Sequence, residues 1–89
     1  MELGEVYITR GIDIAIQESP VFEMEVWQSF LRYLHHDWGD LCGDDIILNT
    51  EALKAGERIL ALYKTSRGDI YIITEWDRSV TTILFIDEY

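Results

Sequence analysis

Two histidines, four aspartates and a cysteine fall within eleven residues, His35-His36-Asp37-Trp38-Gly39-Asp40-Leu41-Cys42-Gly43-Asp44-Asp45. No other segment of the chain comes as close to a chemical signature. A zinc site needs about four ligands in tetrahedral reach. Cys42 is the single cysteine, and adjacent histidines on a helix point about 100° apart, so His35 and His36 do not chelate one ion readily. The acids also miss the calcium-loop pattern of alternating oxygen ligands around a glycine with a late glutamate. Catalysis by Cys42 would need a base beside it to form the thiolate, and no spacing places one there. The simpler account is a connecting loop. Histidines at the end of a helix complement its negative pole, Gly39 lets the chain turn, Trp38 and Leu41 anchor the loop, and Asp44 or Asp45 starts the next helix.

A second cluster, Glu75, Asp77 and Arg78 with Thr81 and Thr82 nearby, has the composition of a paired-carboxylate site. Asp77 and Ser79 are also ordinary turn residues, and Arg78 is expected to pair with an adjacent acid. Trp27, Trp38 and Trp76 are read as packing residues. No phosphate-binding glycine loop, nucleophile elbow or basic-aromatic surface occurs. No catalytic residue, metal or cofactor is expected.

Charge narrows the class of partner. The chain carries a net charge of −10, and residues 1–51 hold eleven acids against two bases while residues 52–89 hold six against five. Binding to a phosphate backbone calls for clustered Lys and Arg, so direct nucleic-acid binding is not expected. A basic protein surface is a suitable partner, because complementary potential steers association. The surface expected to meet it is Asp37, Asp40, Asp44 and Asp45 with Glu23 and Glu25.

The elements that position these residues follow from pattern. Glu5–Thr9 reads as a strand broken by Arg10-Gly11, and Ile12–Gln17 alternates as extended chain, with a short helical turn as the alternative. Ser19-Pro20 starts a helix. Phe22, Val26, Trp27, Phe30, Leu31, Leu34 and Trp38 form its apolar stripe, and Gly39 ends it. A shorter helix follows from about Asp44 to Ala55, closed by Gly56, with Ile46, Ile47, Thr50 and Leu53 inward. Arg58–Lys64, Ile70–Glu75 and Val80–Ile86 then form an antiparallel meander. One face would carry Ile59, Ala61, Tyr63, Ile70, Ile72, Val80, Leu84 and Ile86. The other would carry Leu60, Leu62, Tyr71, Ile73, Ile83 and Phe85. Both faces are apolar, so both call for cover from the helices or from a second subunit.

The expected fold is therefore α+β, ordered β-α-α-β-β-β, with a three- to four-stranded antiparallel sheet packed against two helices. At 89 residues the chain is one domain, 1–89. A lone cysteine excludes an internal disulfide. The apolar runs are too short for a membrane span, and residues 1–20 lack a signal-peptide pattern. A cytoplasmic protein with no membrane partner is expected.

Four stretches together resemble a known family. They are Tyr7-Ile8-Thr9-Arg10-Gly11, Asp37-Trp38-Gly39-Asp40-Leu41-Cys42, Asn49 through Ala52-Leu53 to Gly56-x-Arg58-x-Leu60, and Ile72-Ile73-Thr74-Glu75-x-Asp77-Arg78-Ser79-x-Thr81-Thr82-x-Leu84-Phe85-x-Asp87-Glu88-Tyr89. The chain is similar to small bacterial proteins of plasmids, phages and integrative elements, some of them labelled restriction-system subunits. It departs from their pattern at Trp76, usually a small residue, and at Ile86, often proline. The restriction label does not fit a chain without a methyltransferase motif, and the resemblance carries over no catalytic residue. It implies an accessory protein of a mobile element. With the charge, this points to a non-enzymatic binder of a basic surface, with a nucleic-acid-mimic or anti-defence role. The alternatives are a small enzyme or metal-dependent factor using the 35–45 loop or the 75–79 hairpin, and a structural homodimer.

Overall fold

The computed structural model describes residues 2–89. Its order is β1 (Glu5–Ile8), α1 (Arg10–Glu18), α2 (Pro20–Leu34), α3 (Gly43–Ala55), β2 (Ile59–Thr65), β3 (Gly68–Thr74) and β4 (Val80–Phe85), followed by a 3-10 turn at Ile86–Glu88. The four strands form one sheet in the order β1-β4-β3-β2. The α+β class holds, with one more helix than the sequence pattern indicated.

The added helix is α1, where alternating isoleucines read as extended chain. Ile12, Ala15 and Ile16 also satisfy the i, i+3, i+4 spacing of a helix side. Ile12 and Ala15 are buried and Ile16 packs against them, while Ile14 is exposed. Thr9 caps the helix by accepting from the Ile12 amide at 3.3 Å. Its hydroxyl also donates to Glu88 at 2.7 Å, which brings a carboxylate to the positive end of α1. Ser19 then joins two helices. Its amide donates to Ala15 at the end of α1, and its hydroxyl accepts from Phe22 at 3.1 Å as the cap of α2.

Helix α2 has two apolar sides, and the sequence stripe merged them. Phe22, Val26, Ser29 and Tyr33 face the sheet and are buried. Trp27, Leu31 and Leu34 face outward. The helix also stops at Leu34, short of Gly39, because His36 takes a left-handed backbone with φ of 61°. In α3 the expected inner face is likewise displaced. Asn49 and Ala52 are buried there, Leu53 is half-buried, and Ile46, Ile47 and Thr50 are exposed.

The meander β2-β3-β4 is antiparallel as expected, but β1 pairs with β4 in parallel, so the sheet is mixed. A four-residue strand carries no pairing signal of its own. Its place comes from the Glu5 amide on Ser79 O and the Thr9 amide on Ile83 O. The register also corrects the assignment of β4. Ile72 pairs with Ile83 and Ile70 with Phe85, so Ile83 and Phe85 lie with Ile59, Ala61 and Tyr63 on the face under α1 and α2. Val80 and Leu84 lie on the opposite face with Leu60, Leu62, Tyr71 and Ile73. A one-residue offset exchanges faces because side chains alternate along a strand.

A buried chain of hydroxyls joins helix to sheet. Tyr33 Oη lies 2.6 Å from Thr74 Oγ1, Thr74 Oγ1 lies 2.8 Å from Thr81 Oγ1, and Thr81 donates to Leu3 O at 2.7 Å. A carbonyl only accepts, so Thr81 spends its proton on Leu3. Thr74 then donates to Thr81, and Tyr33 donates to Thr74.

Candidate functional site

The 35–45 loop is a structural connection along the open edge of β2. Arg32 holds Asp37 through two bonds of 2.8 and 3.2 Å, and Asp37 also accepts from the Gly39 amide at 3.1 Å. These donors keep its carboxyl below the usual carboxylate range. Tyr63 Oη donates to Asp37 O at 2.7 Å, and burial, followed by the Asp37 charge, raises the phenol's pKa. Trp38 is buried edge-on against Tyr33, with His36 stacked on its other side. Leu62 donates to Trp38 O at 3.2 Å and accepts from the Asp40 amide at 2.7 Å. Residues 38–40 thus act as a short parallel strand on β2.

Gly39 is required by that contact. Its φ is +76°, and a Cβ there would lie 1.9 Å from Leu62 O. The next backbone pair along the edge is met by a side chain. Asn49 Nδ2 donates to Leu60 O at 2.5 Å, and the Leu60 amide donates to Asn49 Oδ1 at 3.1 Å. An unpaired edge invites pairing with another chain. Here a loop meets it at Leu62 and one carboxamide meets it at Leu60. In the sequence Asn49 stands out only as part of a resembling stretch, with no role attached, and its local signal is a poor helix former after the helical run Ile46-Ile47-Leu48.

The acids divide between structural and free. Asp44 and Asp45 lie in the first turn of α3, where they complement its dipole, but the cap position is Cys42. Cys42 is exposed, and its thiol donates to Asp45 at 3.1 Å. Glu25 accepts from the amide and hydroxyl of Ser66 and so belongs to the β2–β3 turn. Glu23 is exposed in the first turn of α2. Glu23 and Glu25 therefore sit with the helix that covers one sheet face, whereas Asp40 and Asp45 border the other.

The 75–79 hairpin is also committed to architecture. Arg78, with φ of 60°, donates to Glu57 O at 2.6 Å, Glu75 O at 3.1 Å and Ala52 O at 3.3 Å. It caps carbonyls at the end of α3 instead of pairing with an acid. Glu75 lies 3.7 Å from Arg58. Asp77 accepts from the Ser79 hydroxyl and amide, which lower its pKa.

A groove of about 460 Å³ lies between α3 and the second sheet face. Leu60, Leu62 and Tyr71 make its floor, and Leu41 and Leu48 form a wall. Asp40 and Asp45 stand at its rim, and no basic residue lines it. Its size is that of an ordinary ligand cleft. The arrangement can bury an apolar side chain and hold a cation beside it. Among the described residues, no group of three His, Cys, Asp or Glu could hold a metal ion, and no helix is long and apolar enough to cross a membrane. Comparison with protein-family models, with curated proteins and with solved structures gives no match.

Proposed function

We propose that this chain is a small non-enzymatic accessory protein of a bacterial mobile genetic element, acting in the cytoplasm by binding a basic surface of another protein. The partner docks in the groove between α3 and the β2–β3 face. It places an apolar side chain on Leu60, Leu62 and Tyr71 and sets Lys or Arg against Asp40 and Asp45. The observation that carries this reading is the groove itself, apolar in its floor and solely acidic among its charged lining residues. Asp44 adds a third carboxylate in the same helical turn. A nucleic-acid-binding site on a defence or replication protein has the charge this rim would meet, and a phosphate backbone would be repelled by it. The mobile-element context rests on the four resembling segments.

The test is capture of partners from a bacterial lysate at low and high salt, followed by association rates for the captured protein. Asp40, Asp44 and Asp45 changed together to Asn should slow association and flatten its salt dependence, since exposed charges are screened over about 10 Å. Leu62→Ser should speed dissociation. Rates that ignore both salt and the triple change would refute the proposal.

A further inference from the structure

The groove between α3 and the second sheet face offers a partner side chains but no main chain. Asp40, Asn49, Leu60 and Leu62 all line it, and they are bonded to one another along the β2 edge. The Asp40 amide donates to Leu62 O at 2.7 Å, the Leu62 amide donates to Trp38 O at 3.2 Å, and the Asn49 carboxamide takes both main-chain groups of Leu60. A partner strand therefore finds no free donor or acceptor on Leu60 or Leu62. An extended segment laid on the apolar floor would bury its own amides and carbonyls unpaired, at about 1–3 kcal/mol for each. A helix bonds its main chain internally and presents only side chains. The charge is also one-sided. Asp40 comes from the loop before α3 and Asp45 from its first turn, whereas Leu60, Leu62 and Tyr71 of the floor come from β2 and β3. Both carboxylates are exposed, and no basic residue lines the groove.

We propose that the segment this groove takes is a basic amphipathic helix, an inference that rests on the groove being the protein-docking surface. Apolar side chains three or four residues apart share one side of a helix. Two of them rest on Leu60, Leu62 and Tyr71, with Leu48, 60% exposed, against their flank. Lys or Arg on that same flank meets Asp40 and Asp45, and its aliphatic stem lies along the wall of Leu41 and Leu48. The opposite flank of the helix needs no charge. A second copy of this chain is a poor occupant, because its net charge of −10 is opposed by the acidic rim.

Two synthetic peptides of one composition, each roughly 16 residues and so long enough to form a helix, test this against the full chain. One sets Leu at steps of three and four with Lys on one flank. The other alternates the same residues as a basic amphipathic strand. In fluorescence-anisotropy titrations the helical order should bind about tenfold more tightly than the alternating order, and its circular dichroism should become more helical on binding. Asp40 and Asp45 changed together to Asn should weaken the helical peptide about tenfold. Alkylating Cys42 with N-ethylmaleimide should do the same, since this exposed side chain lines the groove and its adduct fills it without disturbing the core. Equal or tighter binding of the alternating peptide overturns the helical inference, while a block by the adduct would still uphold the groove. Helical binding untouched by both the adduct and the Asn changes overturns the groove itself. No binding of either peptide at about 1 mM also overturns the helical inference, and salt-dependent capture then decides the groove reading on its own.

Discussion

The carboxamide of Asn49 bonds both the amide and the carbonyl of Leu60, taking the place of a neighbouring strand at the outer edge of β2. One side chain from a helix thus joins α3 to the sheet and leaves the groove open beneath it. Asn49→Ala would leave two backbone groups of Leu60 without partners. It should cost about 1–3 kcal/mol in denaturant melts, with faster amide exchange at Leu60. Asn49→Asp keeps the acceptor but turns a carboxylate oxygen towards Leu60 O, and should cost at least as much. A change below about 0.5 kcal/mol for Asn49→Ala would contradict this account.

The hydroxyl chain has a single direction, set by the Leu3 carbonyl at its end. Thr81→Val keeps the side-chain shape while removing the donor to Leu3 and the acceptor for Thr74. A loss of about 1–3 kcal/mol is expected on thermal or chemical unfolding.

Burial pushes the pKa of Tyr33 up from 10.0 to about 12. The folded value lies above the unfolded one, so the stabilisation is complete below pH 10 and is lost as pH rises towards 12. A shift of this size corresponds to roughly 2–3 kcal/mol. Tyr33→Phe should be less stable at neutral pH, by about 1 kcal/mol for the lost hydrogen bond, yet decline less steeply above pH 10. Melting temperatures measured through that range for both proteins decide the point.

Asp37 behaves with the opposite sign. Its folded pKa is depressed, first by Arg32 and then by the Gly39 amide. Its contribution is therefore present above the unfolded carboxylate value, about 3.9, and disappears as pH falls through the folded one. Both side chains of the Arg32 pair are nearly half exposed, so solvent limits the effect to less than about 1 kcal/mol. Asp37→Asn should be slightly less stable than wild type at neutral pH, and the two should converge in acid.

Gly39→Ala should be among the more damaging single changes in the loop. It forces a left-handed backbone on a residue with a Cβ and drives that atom into Leu62 O, with the Tyr63 ring 2.8 Å away. A cost above about 2 kcal/mol is expected. Gly56→Ala serves as the control. It has a similar φ of +70° but nothing near the added atom, and should cost only about 1 kcal/mol.

Local chemistry was readable in the sequence wherever the determining partners were close in the chain. Ser19-Pro20 starts α2, Gly56 closes α3, β-branched and aromatic runs make β2 to β4, and the acids concentrate before residue 52. These features depend on caps, propensity and charge within a few residues. Tertiary structure decided what the sequence left open. Ile12–Ile16 suits both a strand and a helix, and Thr9 with Glu88 secures the helix from a distant segment. The outward side of α2, with Met24, Trp27, Leu31 and Leu34, is as apolar as the side that turned inward. Only the sheet beneath α2 chose between them. The parallel place of β1, the face of Ile83 and the partner of Asn49 all depend on contacts across many residues of chain. The groove exists because Leu60, Leu62 and Tyr71 meet Leu41, Leu48, Asp40 and Asp45 from separate elements, a meeting that no local pattern specifies.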